Sequence, residues 1–141
     1  MSGLSQYLKK NKKVRENLVI APTKSLLDEN GEPVKFTFRP ISTAENDEIR
    51  DSCVKTVGKK SDLKTKIDNT KYMKKLLAIS CVEPNLDSVE LQDSYDVSCA
   101  EDLICEIIDN PGEYNELVLA VMEYNGFTGN DDVNKVDEVK N

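Results

Sequence analysis

The sequence predicts a single, mostly helical α+β domain over residues 1–127: an N-terminal β-hairpin attached to a small bundle of about four or five helices. A disordered acidic tail is expected over 128–141. Three observations carry that expectation. Val34, Phe36 and Phe38 alternate with Lys35, Thr37 and Arg39 behind the turn signal Asn30-Gly31. Later segments place apolar residues at helical spacing, several of them opened by a capping side chain. Beyond Phe127 the run TGNDDVNKVDEVKN is polar, acidic and free of aromatics.

Taken in order, Leu4 to Lys10 can form a short helix with Ser2 as its N-cap, ending in the basic run KKNKKVR. NLVIAPTKSLLD and VKFTFRP then read as two strands around ENGEP, and Pro40 stops the second because it has no backbone donor. Ser42 and Glu45 form a capping box, in which hydroxyl and carboxylate each satisfy a backbone N–H. The helix it opens is predicted from about Thr43 to Val57, with Ile49, Cys53, Val54 and Val57 on one stripe and Gly58 as its stop. KKSDLKTKID shows no clear periodicity and reads as an exposed linker. Asp68 or Asn69 caps the next helix, read as the most apolar one, with Tyr72, Leu76 and Ile79 on one row and Met73, Leu77 and Cys81 beside them. After Pro84, Asp87 and Glu90 bracket a short helical turn. Ser98 and Glu101 read as a second capping box before a helix with Leu103, Ile104, Ile107 and Ile108 inward. Pro111 suits the start of the last helix, which runs to about Tyr124 with Tyr114, Leu117, Val118 and Val121 inward, and Gly126 closes it.

Charge divides the chain into halves. Residues 1–82 carry 17 Lys and Arg against 10 acids, whereas residues 83–141 carry 2 against 16, so +7 and −14 sum to −7. Segregation of this kind bears on partners and association rather than on fold. Hydrophobic residues make up only 38% of the chain and charged residues 32%, so the core is modest and a partner can be needed to cover what it leaves exposed.

Several functions lose support. No apolar run approaches the roughly 18 residues of a membrane span, and the first residues lack the apolar core of a signal peptide, so a cytoplasmic protein is expected. Cys53, Cys81, Cys99 and Cys105 include no C-x-x-C pair, and there is no histidine, which argues for reduced, mostly buried thiols and no metal centre. Glu83, Asp87, Glu90 and Asp93 could crowd on one helical face, but exposed acidic faces are commoner than catalytic pairs. No phosphate-cradling glycine motif occurs, and neither an enzyme nor a cofactor is indicated. Lys9, Lys10, Lys12, Lys13 and Arg15 could contact phosphates, yet the acidic half would repel the same polyanion and no stacking aromatics accompany the patch. A nucleic-acid-linked regulator, either a basic-arm binder or an acidic DNA mimic, is the rival reading.

LSQYLKKNKKVREN, the hairpin ending FRPISTAENDEIRDSC, NTKYMKKLLAISCVEPNLDSVELQDSYDV and AEDLICEIIDNPGEYNELVLAVMEYNGF together resemble, in order from Leu4 to Phe127, the XkdN-like phage tail assembly chaperones. These belong to contractile-tailed phages and phage-like particles of Gram-positive bacteria. The resemblance implies a non-enzymatic role in the bacterial host cytoplasm. The chain would hold the tape measure protein soluble, and recruit tail tube subunits, until the tube polymerises, without remaining in the mature particle. It also implies a short form whose end, TGNDDVNKVDEVKN, is where a frameshifted longer form would diverge. Self-association is a further option. No individual binding residue comes with the resemblance. From the residues themselves, Leu119 and Met122 lie off the main stripe of the last helix beside Glu116 and Glu123, and are candidates for an exposed contact, unless they complete a broad core stripe. Leu91 and Tyr95 in LQDSYDV are candidates of the same kind, or else pin the segment between helices.

Overall fold

A computed structural model describes residues 3–127. The tail 128–141 and the cap assigned to Ser2 lie outside the described residues. The chain begins with two 3-10 turns, Gly3–Tyr7 and Lys9–Asn11, in place of the short α-helix expected there. None of their residues is buried, so no packed face exists to hold the longer hydrogen-bond ladder of an α-helix together.

Strands β1 (Leu18–Ile20) and β2 (Phe36–Phe38) pair antiparallel, with Leu18 opposite Phe38 and Ile20 opposite Phe36. The expected alternation holds, since Phe36 and Phe38 are fully buried while Thr37 lies half-buried on the other face. The connection is longer than a tight hairpin. Its tip is organised by Asp28, whose Oδ1 accepts from the backbone N–H groups of Asn30 (2.8 Å) and Glu32 (3.0 Å), while Gly31 takes the left-handed conformation (φ +79°) that the turn requires.

Helix α1 (Thr43–Asp51) opens with the complete Ser42–Glu45 capping box. Glu45 also forms a two-pronged pair with Arg39, at 3.0 and 2.7 Å, tying the end of β2 to the helix. The helix ends six residues earlier than the sequence pattern suggested. Val54–Val57 forms β3, which pairs antiparallel with β4 (Lys64–Ile67), so the segment read as a linker is half of a β-ribbon. Val54, Thr56, Val57, Thr65 and Ile67 are β-branched and favour this arrangement. Gly58, expected to stop a helix, turns the ribbon at φ +106°; a Cβ there would lie 2.4 Å from the Asp62 carbonyl oxygen.

Helix α2 (Asn69–Ser80) is capped by Asp68 and buries Tyr72, Leu76 and Leu77, but Ile79 faces solvent. Three lysines make it less apolar than the two last helices, contrary to expectation. Its ladder stops at Ser80, and Cys81–Glu83 becomes β5, pairing with β2 across a one-residue bulge to give the sheet order β1-β2-β5. Helix α3 (Val89–Ser94) is capped by Ser88, and α4 (Ala100–Ile107) starts at Cys99 without the expected Ser98–Glu101 box. Helix α5 (Pro111–Tyr124) has Pro111 in its first position, as the sequence indicates, and the structure adds Asn110 as its N-cap. The core is the meeting of Phe36 and Phe38 with Ile49, Leu76, Leu77, Leu103, Ile104 and the inner face of α5. All four cysteines are free; Cys53 is buried and the others are half-buried, with only Cys105 inside a helix.

Candidate functional site

Two features frame the surface that a partner can reach. The first is the way the N-terminal segments are pinned onto α5. Glu113, in the first turn of α5, accepts from the Thr23 hydroxyl and from the Lys24 backbone N–H, each at 2.8 Å. These bonds, the backbone one foremost, hold its carboxyl below the usual range. At the other end of the helix, Asn125 Oδ1 accepts from the Ile41 N–H (2.9 Å), and the Tyr124 hydroxyl donates to the Glu16 carbonyl. Arg15 donates to the Ile41 carbonyl at 2.7 Å.

The second is a groove of about 210 Å³ where the C-terminal end of α5 passes α1 and α2. Tyr72, Met73, Met122, Phe127 and Ile67 form its apolar walls, with Asn46, Arg50 and Asn69 at its polar edge. The Tyr72 hydroxyl donates to Asn46 Oδ1, which fixes the ring, and burial pushes the Tyr72 pKa up. Such a groove suits a single large apolar side chain; it is smaller than the roughly 300 Å³ at which small-molecule pockets begin. Methionines make its walls adaptable. Among the described residues, no group of three or more Cys, Asp or Glu side chains is placed to hold a metal ion.

The four residues singled out from the sequence fall in different settings. Leu119 is 37% exposed on the outer face of α5, between exposed Glu116 and Glu123. Met122 is only 5% exposed and belongs to the core, because the inward stripe of α5 is broad enough to take in Leu117, Val118, Val121 and Met122 together. Of the two settings left open for it, Met122 therefore takes the broad core stripe rather than the exposed face, and it meets the surface only as part of the groove. Leu91 and Tyr95 lie half-buried along α3 and its C-cap, packed against the edge of the core. Sequence reasoning assigned Tyr72 and Met73 to helix packing and gave no role to Arg50 or Phe127, because their convergence depends on α5 crossing the start of α2. The pairing of an aromatic with an adjacent methionine on α2 was the one available signal.

Comparison with known proteins places this architecture. The family model described as phage XkdN-like tail assembly chaperone protein matches residues 4–140. The Bacillus subtilis protein YqbN is 25% identical over 125 residues, covering 87% of this chain and 82% of that one. The phage-like element PBSX protein XkdN, also of Bacillus subtilis, is 23% identical over the same length and coverage. The crystal structure of YqbN has the same fold, with a TM-score of 0.73 at 20% identity, covering 90% of this chain and 98% of that chain. With the family model spanning nearly all of its length, the chain belongs to the XkdN-like phage tail assembly chaperone family.

Proposed function

We propose that this chain binds the tape measure protein of its phage or prophage and keeps it soluble in the host cytoplasm while the tail tube assembles, leaving before the particle matures. It acts by binding and not by catalysis. Family membership across residues 4–140 carries the reading. The physical problem such a partner poses is apolar helical surface exposed before polymerisation, and an acidic holder with accessible apolar positions meets it: burial supplies attraction, while like charge keeps loaded complexes apart.

The contact surface we favour joins Leu119 on the outer face of α5 to the groove that Met122 floors, with Leu91 and Tyr95 as a secondary contact along α3. An apolar helix would seat one large side chain in the groove and lie along the rest. The major tail tube protein is a second partner of the same kind. Co-expression of the chain with the tape measure protein of the same particle tests the reading: the partner should become soluble and co-purify. Insoluble partner beside abundant soluble chain refutes it. If instead the chain alone bound duplex DNA tightly and in a salt-sensitive manner, the nucleic-acid-linked regulator would replace it.

A further inference from the structure

The β3–β4 ribbon stands out from the body. Within residues 54–67 only Val57 and Ile67 are half-buried, the rest are exposed, and Ile67 is the one side chain packed against the core. The two strands form a sheet of their own, so the outer edges of β3 and β4 have no strand partner among the described residues. Edges of this kind present backbone N–H and C=O groups that a further strand can take up.

The charge of the ribbon is one-sided. Lys55, Lys59, Lys60, Lys64 and Lys66 stand against Asp62 as its one acid. Register sets Lys55 directly opposite Lys66 and Val57 opposite Lys64, so these four side chains share one face, while Val54, Thr56, Thr65 and Ile67 share the other. Like charges directly across a strand pair oppose the pairing. No carboxylate within the described residues forms an ion pair with them, since the one such pair is Arg39–Glu45. Asp68, on which Lys55 pulls, is engaged in capping α2, where it accepts from the Lys71 N–H at 3.2 Å. The lysine face therefore gives the core nothing and is open to an anion from outside.

Edge and face together specify that anion. Lys64 and Lys66 lie two residues apart along β4, about 6.7 Å, which is the repeat at which an extended strand presents alternate side chains to one face. A strand laid beside β4 brings facing Cβ atoms to roughly 5 Å, within reach of an ion pair. A nucleic acid fits less well: the ribbon has no aromatic residue to stack on a base and no arginine to read one, and the acidic half of the chain repels a polyanion.

We propose that the open edge of β4 takes a third strand from a partner protein. The incoming segment is extended and carries Asp or Glu at alternate positions, so that its carboxylates meet Lys64 and Lys66 while its intervening side chains lie beside Thr65 and Ile67. The inference does not depend on the tape measure reading, because a synthetic strand tests it without any tail protein.

The probe is a capped peptide in which Glu alternates with Thr and Val, titrated into the ¹⁵N-labelled full chain. Amide shifts should gather within 54–67, amide exchange there should slow, and affinity should fall at least about fivefold between 0.05 M and 0.5 M salt. Combining Lys64→Glu with Lys66→Glu should abolish the shifts. That variant keeps the ribbon paired, because it also removes the like charge opposite Lys55. Two further peptides, N-methylated at the Glu positions or at the others, separate strand addition from charge alone. One should lose binding and the other keep it, since alternate N–H groups of a strand point to opposite edges. The proposal is overturned if the parent peptide causes no shifts, if both methylated forms bind as it does, or if the shifts gather at the groove or the N-terminal lysines. Tighter binding of duplex DNA than of the peptide at the ribbon would overturn it equally.

Discussion

Glu45 shows how much one side chain can organise at the residue scale. It closes the capping box of α1 and pairs with Arg39, and these contacts, the Arg39 hydrogen bond first, pull its carboxyl from 4.5 to about 2. Because the folded value lies below the unfolded one, the group stabilises the fold above about 4.5 and loses that contribution as pH falls toward about 2. Glu45→Ala should cost about 1 kcal/mol at neutral pH, the usual worth of a cap. It should also flatten the acid limb of the stability profile, which denaturant melts between those pH values would measure. Leu119 and Met122 make a second contrast. Met122→Asp would bury an unpaired charge among Leu117, Val118 and Val121 and should cost about 3 kcal/mol or more. Leu119→Asp, on the outer face, should change the melt by less than about 1 kcal/mol while weakening tape measure binding. Comparable destabilisation of both variants in thermal melts would return Leu119 to the core.

At the scale of elements, what could be read from the sequence divides by the range of the interaction. Caps are local, so Ser42 with Glu45, the Asp68–Asn69 pair, and Pro111 marked the starts of α1, α2 and α5, although Ser98 with Glu101 did not form the box expected before α4. The stripe Leu103, Ile104, Ile107 and Ile108 likewise announced its own burial. Strand partners are not local. Val54–Val57 carries apolar residues that a helical stripe could use equally well, and only Lys64–Ile67 across the turn decides for a ribbon. Cys81 looked like one more turn of α2 because its strand partner, Phe38, lies far earlier in the chain. The groove was illegible for the same reason, since Tyr72 and Met73 meet Phe127 only through tertiary packing. The ribbon's dependence on one position gives a prediction. Gly58→Val should strain the turn by about 1–3 kcal/mol and strip amide exchange protection from residues 54–67. Because the ribbon gives the core little beyond Ile67, protection of α4 and α5 should persist; its collapse would show that the ribbon braces the body.

For the whole molecule, function entered through resemblance and family membership, since residue chemistry alone reaches only an acidic, charge-segregated interaction domain. A holder of the proposed kind would need apolar positions, adaptable walls and a surface that stays soluble when loaded. Residues 128–141 are polar and without aromatics, so their deletion should leave the melting temperature nearly unchanged. The central claim is tested most directly by the soluble fraction of the tape measure protein co-expressed with the full chain, with Leu119→Asp, or with no chaperone. Soluble, co-purifying partner is expected with the full chain, a marked loss with Leu119→Asp at unchanged thermal stability, and aggregation without chaperone. A tape measure protein equally insoluble in all three cultures, with the chain itself folded and abundant, would contradict it.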